Sequence, residues 1–329
     1  MKRRYIWIDI LNIAAIVSVV MLHVSTAETD NPSLYNGHFV WSKFIHSFLI
    51  WPVDVFYMLT GCNLIGRIGG LYNKYALNRI KKAVIPFFIW SLIYYFLRSR
   101  TQDPIEFLNL LLTGTFVVYM WFFIPLFAIY ICLPFLEKII INSEWRLIEC
   151  FIIISFLLNS CFPFFLERYG IHCPKLFPIG SGYLCFPIYG YYLNKYPLSL
   201  NKRKIIYIMG VLGAIIIFLM QLWLSISSGI NDRTYMDYLS PFCILLATAV
   251  FVFFKYTNWN SLEKYSNYIS FVSSCTLGVY LVHYIVIAIL RYMNYICSEH
   301  YFSFVIVYII SLFVILIFKK IPYIKNIVP

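Results

Sequence analysis

Long apolar runs separated by short charged loops recur from one end of this 329-residue chain to the other. A bilayer's hydrocarbon core takes about 20 mostly apolar helical residues to cross. Inside it every backbone N–H and C=O must find its partner within the structure. Runs of this kind point to an all-α, polytopic helical bundle. Ten spans are expected, at 5–24, 44–65, 83–97, 119–136, 147–166, 181–194, 205–226, 239–254, 269–290 and 303–318. The third, sixth and eighth are short and need neighbouring residues to complete them. Residues 105–118 are also apolar, but Thr113-Gly114-Thr115 interrupts them, and they read as an interfacial or re-entrant segment on the outer side.

The charges test that count. Only 12% of residues are charged and 61% are hydrophobic, where a soluble domain carries roughly 25% charge. A net charge of +12 would suit a nucleic-acid surface. The cations instead lie in short loops between apolar runs, which argues against that class. With both termini placed in the cytoplasm, 19 of the 26 Lys and Arg residues fall inside and 7 outside. The outer set is Lys43, Arg98, Arg100, Arg168, Lys175, Arg233 and Arg291. This is the asymmetry that orients membrane proteins. Residues 1–329 read as one membrane-embedded domain with no appended soluble domain. The first run has a basic lead and a small-residue stretch at Val24-Ser25-Thr26-Ala27, like a signal peptide. Asp9 and Asn12 break its apolar region early, so it reads as a retained span.

The nine cysteines show no zinc-ligand spacing and mostly lie in apolar runs. They read as small buried hydrophobes, with Cys161 and Cys173 a pair able to meet outside the cell. No metal or bound cofactor is expected. No nucleophile elbow, Walker loop or HExxH motif occurs.

The first span carries the sharpest signal. A charge near the centre of a membrane helix costs about 2.5–3.5 kcal/mol, so ionisable groups there face a cavity, a partner or a substrate. At 100° per residue, Asp9, Asn12 and His23 fall on one stripe with Ile16 and Val19. Two readings fit this stripe: a polar seam bonded to neighbouring helices, or a reaction site built on His23, the side chain suited to move a proton near neutral pH. Asp9 lies roughly 21 Å of helix from His23 and is expected to pair with a basic residue nearer the cytoplasm. Further intramembrane candidates are Asp54, Trp121, Tyr280 and His283. Arg67, Lys74, Arg79, Lys81 and Lys82 crowd one cytoplasmic loop. Such a cluster serves either as an orientation signal or as an attractor for phosphates. Arg79 and Lys82, three apart, share a helix face.

With these residues placed, the chain resembles the membrane-bound acyltransferase-3 family, which moves acyl groups onto sugars and other envelope acceptors. The likeness runs almost the whole length. Asp9-Ile10-Leu11-Asn12 … His23 resembles the family's opening Asp-x-Leu-Arg … His, with Asn12 standing where Arg is usual. PVDVFYMLTG (52–61), YALNRIKKAVIPFFIWSLIYY (75–95), MWFFIPLFAIYICLPFL (120–136), CFPIYGYYL (185–193) and SSCTLGVYLVHYIVI (273–287) follow in the family's order. The resemblance implies that His23 is the catalytic residue, as base or acyl carrier. It implies that Arg79 and Lys82, with Lys81 and Arg67 beside them, handle a cytoplasmic acyl-CoA, most simply acetyl-CoA. Lys82 for Arg keeps the charge but loses the planar fork for phosphate, and Asn12 offers neither. Asn12, Trp121, Tyr280 and His283 are the candidates to steady the oxyanion, and Asp54 to meet substrate. The implied acceptor is a hydroxyl of a surface polysaccharide or lipid-linked glycan at a bacterial plasma membrane. A transporter or flippase is the alternative reading of the same polar span. Paired interrupted helices, expected of many transporters, are not evident.

Overall fold

The computed structural model describes residues 5–25, 37–68, 74–98, 103–117, 119–171, 182–295, 302–322 and 327–328. Among them no strand occurs. The helices are α1 Ile6–Ser25, α2 Gly37–Leu49, α3 Pro52–Leu64, α4 Lys74–Arg98, α5 Pro104–Thr113, α6 Phe123–Ile141 and α7 Trp145–Phe156. They continue as α8 Phe162–Arg168, α9 Phe186–Lys195, α10 Leu200–Ser228, α11 Pro241–Tyr256, α12 Ser266–Ser273, α13 Thr276–Tyr292 and α14 Ser303–Lys320.

Among the described residues, seven helices are long and apolar enough to cross a membrane, and eight if a bent pair counts as one span. The chain is a multi-pass membrane protein. The differences from the expected ten spans have local causes. The second span begins at Gly37 rather than at residue 44, because α2 and α3 together make one apolar stretch, Gly37–Leu64. Pro52, which has no N–H to give, marks the joint between them. The expected sixth span contains only a 10-residue helix, α9, about 15 Å long. The expected ninth divides at Ser274-Cys275 into α12 and α13. Upstream of it, the path from α11 to residues 260–273 bends by 82°. Residues 104–113 form a short helix, α5, with no buried residue. Asp103 caps its start and Gly114, at φ 67°, ends it, so it does not extend into a further span.

Contacts at the helix ends sort the bundle into two poles. At one pole, Arg291 in the last turn of α13 donates to the carbonyls of His23 and Val24 at the end of α1. At the other, Glu137 near the end of α6 accepts from the backbone N–H of Gly66 and Ile68, just past α3. Lys255 at the end of α11 donates to the carbonyls of Leu193 and Asn194 at the end of α9. Lys202 in the first turn of α10 pairs with Glu149, in the second turn of α7, at 2.6 Å. Lys319 ending α14 donates to Ser274 ahead of α13. We call these poles the histidine end and the lysine-rich end.

Lipid tails are as apolar as leucine, so close backbone approach, rather than hydrophobic burial, joins membrane helices. The α3–α9 contact is of this kind. A Cβ added at Gly61 would lie 1.9 Å from the carbonyl oxygen of Pro187, and one at Gly190 would lie 1.9 Å from that of Met58. Gly210 and Gly213 do the same for α10 against α11.

Candidate active site

His23 stands in the last turn of α1, half-buried. His283 stands in α13 and is fully buried. Their rings lie 5.3 Å apart, centroid to centroid, tilted by 39°. Tyr119, just ahead of α6, closes the group: its ring is 6.0 Å from His23 and 4.8 Å from His283. Three helices, distant in sequence, thus deliver one cluster.

Hydrogen bonds set the state of His283. Its Nδ1 lies 2.6 Å from the carbonyl oxygen of Tyr280. A carbonyl only accepts, so Nδ1 carries the proton and Nε2 of the neutral ring keeps a lone pair. That Nε2 is buried with no hydrogen-bond partner among the described residues. A buried, unpaired acceptor costs about 1–3 kcal/mol. Such atoms are often explained by function.

The tyrosines around the pair hold the helices in register. The Tyr94 hydroxyl donates to the Leu281 carbonyl at 2.7 Å, and the Tyr119 hydroxyl reaches both Tyr94, at 2.6 Å, and Leu281, at 2.9 Å. Tyr280, whose ring lies 5.8 Å from that of His283, donates to the Tyr119 carbonyl at 2.6 Å. α4, the segment ahead of α6 and α13 are tied together two and three residues from His283.

Asn12 is about 16 Å of helix from His23, outside this cluster. Its amide donates to the Ser273 carbonyl, the Ser273 hydroxyl and the Thr276 hydroxyl, at 3.2–3.4 Å. These are the groups laid open where α12 stops and α13 starts. Asp9 accepts from the Ser270 hydroxyl at 2.5 Å. The stripe on α1 therefore divides, with Asp9 meeting α12, Asn12 meeting the junction of α12 and α13, and His23 meeting α13 further along.

Trp121 follows Tyr119 by two residues, and its ring is 5.2 Å from Tyr238 and 5.8 Å from Tyr183. Asp54 is fully buried in the first turn of α3 and accepts from the Cys243 thiol at 3.4 Å.

Arg67, Arg79, Lys81 and Lys82 are all exposed at the lysine-rich end. None of them touches the histidines directly. The link is α4 itself: Tyr94, which bonds Tyr119, lies about 22 Å of helix above Arg79. Glu137 sets the loop that carries Arg67, accepting from Gly66 at 2.7 Å and Ile68 at 3.1 Å.

Several residues of the site were not foreseen. Tyr94 and Tyr119 are two of many tyrosines, and nothing local marks them. His46 had a signal, an imidazole within the expected second span. It is buried, and its Nε2 lies 2.9 Å from Ser25 Oγ. The Ser25 proton is directed at the Met21 or Leu22 carbonyl, so His46 is the donor. Lys43, expected in an outer loop, is instead inside α2 and buried. Its Nζ donates to the Asp232 carbonyl at 2.5 Å and to Gln221 at 3.3 Å. Cations taken as loop charges from sequence thus brace the histidine end. Cys173, Arg100 and Lys175 lie outside the described residues. Among those described, no three His, Cys, Asp or Glu side chains are grouped to hold a metal.

The geometry sets a neutral imidazole lone pair beside a second imidazole, in a tyrosine-lined site between helices. A hydroxyl placed there can give up its proton. Compared with known families, the chain matches the Acyl_transf_3 model, described as an acyltransferase domain, over residues 5–320. No curated protein and no solved structure matches it.

Proposed function

The chain belongs to the acyltransferase-3 family, and on that footing we propose that it moves an acetyl group from cytoplasmic acetyl-CoA to a hydroxyl of a surface polysaccharide or lipid-linked glycan. The observation that carries the reading is the His23–His283 pair, 5.3 Å apart. The membrane is the bacterial plasma membrane. The shorter helices α9, α11 and α13 complete ten crossings with both termini in the cytoplasm. The end-to-end contacts alternate as that count requires, and the 19-to-7 charge bias gives the direction.

The donor's phosphates meet Arg79, Lys81, Lys82 and Arg67, and its thioester arm follows α4 toward Tyr94. His23 takes the proton from the acceptor hydroxyl as that oxygen attacks the thioester carbonyl. The C–S bond breaks, the proton passes to the leaving sulfur, and ester and free CoA result. The Nε2 lone pair of His283 stands beside His23 and steadies its protonated ring. Tyr280 and Asn12 act through position, Tyr280 by holding His283 and Tyr119, Asn12 by fixing α1 on α13. Asp54 and Trp121 lie on the acceptor side. Family membership favours transfer chemistry over the transporter alternative.

The test supplies isotope-labelled acetyl-CoA to membranes bearing the native chain or His23→Ala. Label should enter a glycan fraction with the native chain and not with the variant at equal expression. Label that persists in the variant would sink the role given to His23.

A further inference from the structure

Three half-buried rings gather around Trp121, two residues past Tyr119: Trp121 itself, Tyr183 and Tyr238. Each stands just ahead of a helix, Trp121 before α6, Tyr183 before α9 and Tyr238 before α11. A fourth helix, α3, starts at the same place. Its Tyr57 ring lies 5.1 Å from Tyr183. Its first turn supplies Asp54, within electrostatic reach of Tyr57, Tyr183 and Tyr238.

Asp54 is 0% exposed. One oxygen accepts from Cys243, a weak donor, and the other, Oδ1, has no hydrogen-bond partner among the described residues. Full burial with an unmet acceptor is costly for a carboxyl unless something recovers the bond. The surroundings also bear on its charge. The starts of α3, α6 and α9 have no side-chain cap, and α11 is capped by Ser240. Helix N-termini carry partial positive charge. Asp54 lies in the first turn of α3, and its Cys243 contact places it beside the first turn of α11.

We infer that Asp54, Trp121, Tyr183 and Tyr238 form a subsite for an uncharged sugar ring of the acceptor, with Asp54 Oδ1 accepting a ring hydroxyl. The inference rests on the glycan-acceptor reading above. Aromatic faces suit the C–H faces of a pyranose. A cationic ring or a quaternary ammonium would also suit an aromatic cage, but pairing it with a fully buried carboxylate takes both charges out of water, which can outweigh their attraction. An anionic ring would face Asp54 in a medium that screens poorly. A neutral ring pays neither cost.

The test is saturation-transfer NMR on the purified full chain in nanodiscs. The probes are the methyl glycosides of N-acetylglucosamine, glucosamine and glucuronic acid, with choline as a fourth. The neutral glycoside should bind, with the cationic and anionic probes weaker by about tenfold. Asp54→Asn should weaken the neutral glycoside about fivefold, and Tyr238→Ala, which alters a loop rather than a helix, should weaken it as well. A thermal melt establishes that each variant is folded. Tighter binding of glucosamine or choline, unchanged binding in both variants, or no binding of the neutral probe would each overturn the subsite. Transfer from acetyl-CoA is measured separately on the same preparation. Neutral-ring binding without transfer would support the subsite and count against the acyltransferase reading. Transfer without neutral-ring binding would do the reverse.

Discussion

His283 gives its only ring proton to the carbonyl of Tyr280, three residues earlier on the same helix, at 2.6 Å. That bond fixes both the tautomer and the ring plane, and it leaves Nε2 as the free lone pair beside His23. A residue whose own helix decides its protonation pattern needs no outside partner to be ready. The arrangement supports the following expectations.

Replacing His23 with Ala should remove general-base catalysis, worth about 10²–10⁴ in rate. Replacing His283 with Gln keeps a hydrogen-bonding side chain but loses the imidazole lone pair, and should lower kcat more than it raises KM. Single-turnover transfer from labelled acetyl-CoA reads both. A His283→Gln variant with native kcat would remove that residue from the proton's path.

Arg79 and Lys82 are exposed on one face at the start of α4, far from the histidines. Changing both to Ala should raise KM for acetyl-CoA about tenfold, near 1.4 kcal/mol, with kcat little altered. The difference from the native chain should shrink as salt rises, because exposed charges are screened. Donor titrations at two ionic strengths check this. A drop in kcat alone would argue against a donor-binding role.

Glu137 is buried and holds two backbone N–H groups of the Arg67 loop. Glu137→Ala strands the buried Ile68 N–H, at about 1–3 kcal/mol, and frees the Gly66 N–H at the exposed turn. A lower melting temperature together with a higher KM for acetyl-CoA is expected. A lower melting temperature with unchanged KM would show the loop to be structural only.

Gly61→Ala should destabilise the bundle, because the new methyl falls 1.9 Å from the Pro187 carbonyl oxygen on α9. Overpacking of this kind costs typically 1–3 kcal/mol or more. Melting in detergent tests it. Gly37, where an added Cβ meets nothing within 4 Å among the described residues, is the control, and Gly37→Ala should melt like the native chain.

The sequence by itself determined the membrane, the all-helical architecture and the family, because apolar length and charge placement are local properties that a bilayer reads directly. It also singled out His23 and His283, since an imidazole among apolar residues stands out without any knowledge of its neighbours. Three things needed the tertiary structure. Lys43 reads from sequence as a loop cation, yet Gln221 and the Asp232 carbonyl allow it to be buried. Asn12 shares a stripe with His23, yet the break between α12 and α13 claims its amide. Tyr119, one tyrosine among 28, comes to lie against both histidines only because α1, α13 and the segment ahead of α6 pack together. Periodicity places a side chain on a face of its own helix. Which helix meets that face is decided by packing between segments up to 260 residues apart, as between His23 and His283, and no local pattern records it.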